Sequence, residues 1–219
     1  MAIVTRPFDL IVFDWDGTLM DSTHKICDCI GRAAVDCGVP DPGPARSRQI
    51  IGLGLAEALA TLFPSVDGAR LKAIADRYRH YYLDPQTTPT QLFEGVQDGL
   101  QLLRDVGYKL AIATGKSRRG LEQVLMQTPI ASYFVASRCA DECRSKPDPL
   151  MLEELLLETG IGRERALMVG DTTFDLQMAR NAQVAALGVT YGAHAADQLK
   201  ELASFGYASS FGDILRWLT

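Results

Sequence analysis

Asp14 and Asp16 stand two residues apart, directly after the apolar run Leu10–Phe13. Two carboxylates at the end of a buried strand are costly to desolvate unless a metal, a hydrogen-bond network or a shared proton compensates them. Gly17 follows and lets the backbone turn sharply or pass close to a ligand. Three further polar sites trail other apolar runs: Thr114-Gly115, Lys146, and Asp171 with Asp175. Together these types suit phosphoryl transfer to a carboxylate. A phosphomonoester is anionic and repels an anionic nucleophile, so the site must supply positive charge. Asp14, Asp171 and Asp175 offer hard oxygen ligands that suit Mg²⁺, and Lys146 adds a second positive charge on the phosphate. Thr114 offers a hydroxyl donor, and Gly115 lets its backbone N–H approach a phosphoryl oxygen at a helix start. The cation and Lys146 are expected to hold Asp14 ionised as the nucleophile. Asp16 does different work if only its backbone carbonyl touches the metal. Its carboxyl is then free to protonate the leaving oxygen and later to take a proton from water.

These residues need elements that deliver them to one edge. Strand-like runs are Leu10–Phe13, Leu110–Ala113, Phe134–Ala136, Leu167–Val169 and Ala185–Val189. Helical patterns over Val96–Val106, Arg118–Gln127, Leu150–Thr159 and Phe174–Asn181 alternate with them. Such alternation predicts an α/β fold with a parallel, doubly wound sheet, whose ligands bind beyond the carboxyl ends of the strands. From about Thr23 to Pro89 only helical spacing occurs: Ile26/Ile30/Ala33, Leu55/Leu59/Leu62 and Leu71/Ile74/Tyr78/Tyr81. That interval reads as an all-helical insertion after the first strand, bounded by Pro85-Gln86-Thr87-Thr88-Pro89. The division expected is a core of residues 1–20 and 90–219 and an insertion of residues 21–89. Ala195–Ala203 and Phe211–Leu218 read as closing helices.

The 219 residues are 47% hydrophobic and 22% charged with a net charge of −5, which is ordinary globular composition. The acidic balance and the lack of a Lys/Arg-rich block argue against nucleic acid as a partner. No secretory leader is read in the opening residues, and no apolar run reaches the ~18 residues of a membrane span. With five cysteines, an odd count, the expectation is reduced thiols in the cytoplasm. Cys139 and Cys143 lack a second Cys/His pair and read as incidental rather than as half a zinc site.

Asp14-Trp15-Asp16-Gly17-Thr18-Leu19, Thr114, Lys146-Pro147 and Gly170-Asp171-Thr172-Thr173-Phe174-Asp175 resemble, in order, the four motifs of the haloacid dehalogenase superfamily. The helical insertion resembles the cap of its phosphoglycolate-phosphatase-like branch. The resemblance implies a Rossmann-like core, a mobile helical cap, Mg²⁺ and an aspartyl-phosphate intermediate. It implies Asp14 as nucleophile, Asp16 as acid/base, Thr114 and Lys146 as phosphate binders, and Asp171 and Asp175 at the metal. Trp15 and Gln183 are less usual: Trp15 is expected to contribute mainly a backbone N–H, and Gln183 stands where Gly often follows the fourth motif.

The expected activity is a Mg²⁺-dependent phosphatase acting on a small phosphorylated metabolite. A sugar phosphomutase shares the same four motifs. A dehalogenase fits less well, because that chemistry needs neither Asp16 nor a metal. A receiver-like phosphoacceptor switch also gathers an aspartate, a threonine and a lysine, but its acceptor does not follow the first strand of a capped sheet. Gly115-Lys116-Ser117 is not a P-loop, since the position five before its glycine is Leu110. Gly52-Leu53-Gly54 lacks the third glycine of a dinucleotide fingerprint and reads as a loop that bends toward substrate. Arg46, Arg48 and Glu94 are further candidates for substrate contact, and the Tyr78/Tyr81/Tyr82 group reads as packing.

Overall fold

The computed structural model describes residues 6–84, 86, 87 and 89–219. The expected division therefore touches residues 1–5, Pro85 and Thr88, which lie outside the described residues.

Leu10–Phe13 forms β1, the centre of a six-stranded parallel sheet. With β4 (Lys109–Thr114), β5 (Phe134–Cys139), β6 (Ala166–Gly170), β7 (Ala185–Val189) and β8 (Gly206–Ala208), the order is β5-β4-β1-β6-β7-β8. All pairings are parallel, with Phe13 opposite Ile112 on one side and Val169 on the other. β1 is apolar throughout because both of its faces are covered. Ile11 and Phe13 join Leu110, Ile112, Leu167 and Val169 on one face, under α5 (Val96–Asp105), α6 (Arg118–Met126) and α10 (Phe211–Leu218). Leu10 and Val12 join Ala111, Ala113 and Met168 on the other, under α7 (Leu150–Thr159) and α8 (Thr173–Ala182). From β1 the chain eventually builds β4 and β5 outward on one side, then returns to place β6 on the other. The carboxyl ends of β4, β1 and β6 thus meet at a topological switch point, where α/β sheets bind ligands.

Between β1 and β4 lie a two-residue antiparallel pair, β2 (Met20–Asp21) with β3 (Gln91–Leu92), and four helices enclosed by it. These are α1 (Thr23–Asp36), α2 (Pro44–Arg48), α3 (Leu55–Leu62) and α4 (Gly68–Leu83). α2 begins at the end of Val39-Pro40-Asp41-Pro42-Gly43-Pro44, residue types that favour turns, and Pro44 occupies its first helical turn, where its missing N–H costs nothing. The closing helix expected over Ala195–Ala203 is shorter. After α9 (Ala196–Leu199), Phe205 N–H donates to Ala186 O at 2.9 Å and pulls the chain into the edge strand β8. Gln183 sits at φ 58° after α8, the left-handed position that explains why glycine suits that site. Trp15 is fully buried, so its side chain packs the core beyond any backbone role. No helix among the described residues is long and apolar enough to cross a membrane.

Candidate active site

The site begins where β1 ends. Asp14 N–H donates to Val169 O at 2.9 Å, tying the first residue past β1 to β6. The chain then reverses through Gly17 at φ 84°, a conformation that penalises any side chain with a Cβ. Space imposes glycine here as well. A Cβ on Gly17 or on Gly192 would overlap the Asp171 carboxylate, which therefore lies in a slot between two bare backbones. Within the slot Thr18 Oγ1 donates to Asp171 Oδ1 at 2.9 Å, and Ala193 N–H donates to Oδ2 at 2.6 Å.

Lys146, from the loop before α7, reaches the same point. Its fully buried Nζ donates to Asp14 Oδ1 at 2.7 Å and to Asp175 Oδ1 at 2.6 Å. Asp175 Oδ2 accepts from Thr172 N–H at 3.0 Å and from its hydroxyl at 2.7 Å, capping α8. One residue thus fills both the helix-cap role and a place in the charged cluster.

Three buried carboxylates here face one ammonium. Burial, and then the neighbouring Asp175, pushes the Asp171 carboxyl up to about 7. Burial also raises Asp14 well above the usual carboxylate range, with Asp175 and Asp171 adding to the shift against the pull of Lys146. Lys146 pulls in the expected direction, favouring the ionised form of Asp14, while it divides its charge between Asp14 and Asp175. Lys146 itself stays charged, because the attraction of Asp14 and Asp175 outweighs its own desolvation.

The donor set fits a hard divalent cation. Oxygens of Asp14, Asp171 and Asp175 all lie within 4.8 Å of one another, and Asp14 Oδ2 is buried without a hydrogen-bond partner among the described residues. An unpaired buried carboxylate oxygen is expensive. All-oxygen ligands select Mg²⁺ over softer metals.

The Asp16 side chain turns away from this cluster. Its Oδ1 accepts from Ser22 Oγ at 2.6 Å, and its Oδ2 lies 2.9 Å from Lys116 Nζ. Lys116 in turn donates to the Tyr82 hydroxyl of α4 at 2.9 Å and stands 4.4 Å from that ring's centroid. Thr114 is buried, and its Oγ1 accepts from Lys116 N–H at 3.2 Å, so it shapes the turn that presents Lys116. Gly115 is pressed against the insertion: a Cβ there would lie 2.5 Å from Leu53 O and 2.7 Å from Gly52 O. Gly54 N–H donates to Ser145 Oγ at 2.7 Å, docking the Gly52-Gly54 loop beside the Lys146 segment.

A cavity of about 370 Å³ opens between the insertion and the sheet edge, with Asp14 and Asp16 in its wall. Gly52–Gly54 lines it, as the sequence suggested, and so do Tyr78 and Tyr82, which the sequence marked only as packing. Arg46 and Arg48 do not line it. Arg46 donates to Leu62 O and Arg48 to Thr23 Oγ1, while Glu94 is exposed. Sequence reasoning also passed over Thr18, Ser22 and Lys116. Their signal was adjacency: each lies within a few residues of a motif aspartate or of Thr114. Cys139 and Cys143 take no part in the acidic cluster, and burial pushes their thiols up to about 12 and about 11.

The family model "Haloacid dehalogenase-like hydrolase" matches residues 11–189. "Probable phosphatase IndB" of Dickeya dadantii is 35% identical over 94% of this chain and 91% of its own length. "Phosphoglycolate phosphatase" of Pseudomonas putida is 32% identical over 84% of this chain and 70% of its own. The crystal structure of a "predicted phosphoglycolate phosphatase" from Haemophilus somnus superposes with a TM-score of 0.85 at 25% identity, covering 97% of this chain and 98% of the other. The chain belongs to the haloacid dehalogenase-like hydrolase family.

Proposed function

We propose that the protein is a Mg²⁺-dependent phosphatase that hydrolyses a small phosphomonoester through a phosphoryl group carried on Asp14. The observation that carries this reading is the split between the two aspartates. Asp14 lies in a buried cluster with Lys146, Asp171 and Asp175, whereas Asp16 faces the cavity through a separate network with Ser22 and Lys116. Two carboxylates in different surroundings are suited to different work. Relatives named phosphatase and phosphoglycolate phosphatase support the same reaction class.

Asp14, Asp171 and Asp175, with the backbone carbonyl of Asp16, would hold Mg²⁺, which would supply positive charge opposite the phosphoryl oxygens and keep Asp14 ionised. Asp14 attacks phosphorus; an Oδ–P bond forms as the bond to the leaving oxygen breaks. Asp16 gives its proton to that oxygen, releasing the alcohol. Asp16 then removes a proton from water as the water attacks phosphorus, which frees phosphate and regenerates Asp14. Lys146 balances charge through both halves, and Thr114 and Gly115 shape the phosphate side of the pocket. Residues 21–89 act as a cap on the core of residues 1–20 and 90–219, excluding bulk water from the intermediate. The five free thiols fit a reducing, cytoplasmic setting.

The test is phosphate release from a panel of phosphomonoesters with Mg²⁺ and with excess chelator. The reading requires turnover that Mg²⁺ supports and chelator abolishes. Full activity in chelator would refute it.

A further inference from the structure

Away from the aspartates' own carboxyls, much of the cavity lining is apolar. Ile26 and Ile30 of α1, Ile50 and Ile51 of the loop after α2, and Tyr78 and Tyr82 of α4 supply it. The two tyrosine rings lie side by side, with centroids 5.7 Å apart and planes tilted by 32°. At about 370 Å³ the space falls at the lower end of the ~300–1,000 Å³ typical of small-molecule sites.

Two of the cations that line the cavity, Lys116 and Arg79, are already paired. Lys116, whose side chain is 8% exposed, is held by Asp16 Oδ2 and the Tyr82 hydroxyl. Arg79 and Arg119 are exposed at the rim, where Glu57 and Asp141 also stand, and Arg79 pairs with Asp76 at 2.8 Å. A substrate carrying a second anionic group into this space would lie beside Asp14 and Asp16 and take Lys116 away from Asp16. An anion buried without its own partner is strongly disfavoured.

We infer that the substrate is the phosphate monoester of an uncharged alcohol or phenol with an apolar body of several carbons, seated against the Ile26/Ile30/Ile51/Tyr78/Tyr82 wall. This rests on the phosphatase reading and narrows it. The alcohol's apolar body takes the place of water on the isoleucines, the rings of Tyr78 and Tyr82 cover a planar group where one is present, and Asp16 meets the bridging oxygen. The preference lies in the helices of the insertion, whereas the groups that handle phosphorus lie on the sheet edge.

The experiment is a substrate series at saturating Mg²⁺: ethyl, propyl, butyl and phenyl phosphate against 2-phosphoglycolate, each read as kcat/KM. Each methylene from ethyl to butyl should raise kcat/KM about fourfold, the ratio expected for burying one CH₂. Phenyl and butyl phosphate should exceed 2-phosphoglycolate by about tenfold or more. A flat series, or 2-phosphoglycolate in the lead, overturns the inference while phosphate release leaves the phosphatase reading intact. No release from any ester overturns both. Ile51→Lys, checked for fold by circular dichroism, should narrow the gap to 2-phosphoglycolate by putting an ammonium in the wall. An unchanged gap in the folded variant would refute the assignment of that wall.

Discussion

Lys146→Met probes the charge balance at the centre of the site. The substitution keeps an unbranched apolar stem of similar length and removes the ammonium, so little packing is lost. It breaks contacts of 2.7 Å to Asp14 and 2.6 Å to Asp175 in a fully buried setting and leaves three carboxylates with no buried cation in reach. Removing one partner of a buried pair costs about 3–5 kcal/mol. With metal chelated at pH 7.5 we expect about 4 kcal/mol, which for a chain of this size lowers Tm by roughly 8–16 °C. The loss should shrink in acid, because the carboxylates can then take up the proton that replaces the ammonium. Two pH units weaken the penalty by up to about 2.7 kcal/mol for each proton bound, so at pH 5.5 the cost should be roughly 1–2 kcal/mol. Asp175→Asn added to Lys146→Met should restore part of the loss, and saturating Mg²⁺ should also narrow it. Urea unfolding followed by circular dichroism in chelator at both pH values gives the numbers. Wild-type stability in Lys146→Met at pH 7.5, or a penalty that grows as pH falls, would refute the reasoning.

A second expectation concerns Asp171, whose folded pKa is raised to about 7 from 3.8. A raised carboxyl contributes stability below its unfolded pKa and loses it as pH climbs to the folded value. Chelated wild type should therefore fall relative to Asp171→Asn between about pH 4 and 7. At 1.36 kcal/mol per unit the full span is about 4 kcal/mol, and a difference that stays flat across the range would count against it. Gly192→Ala forces a Cβ onto the Asp171 carboxylate between Thr18 and Ala193. It should raise the Mg²⁺ concentration for half-maximal activity by about 10–100-fold, the usual cost of disturbing a ligand's support. An unchanged Mg²⁺ titration would argue against Asp171 as a ligand.

Much of this arrangement was legible because β1 is a short apolar run buried on both faces, with its functional residue placed at the next position. The same rule picked out Thr114, the last residue of β4, and Asp171, the residue after β6. Of the two edge strands, β5 was legible as Phe134–Ala136 and β8 was not. β8 spans three residues with Tyr207 partly exposed, too few to display a period, and its pairing depends on Phe205 reaching Ala186. α2 was hidden because Pro44 reads equally as a turn residue and as the first residue of a helix. Within the site, local sequence indicated which residues gather but not how they divide. The Lys116–Asp16–Ser22 network and its tie to Tyr82 join separate stretches of chain, which no spacing rule encodes. The upward push on the Asp14 carboxyl was likewise out of reach, since it follows from complete burial beside two other carboxylates.

The central claim is that Asp14 itself accepts the phosphoryl group. Asp14→Asn removes the nucleophilic oxygen at nearly constant volume and leaves the surrounding fold in place. Phosphate release from the best ester of the series, at saturating Mg²⁺ and with folding verified by circular dichroism, should drop by about a thousandfold or more, because the residual pocket can only bind and orient the ester. A rate within tenfold of wild type would contradict the account.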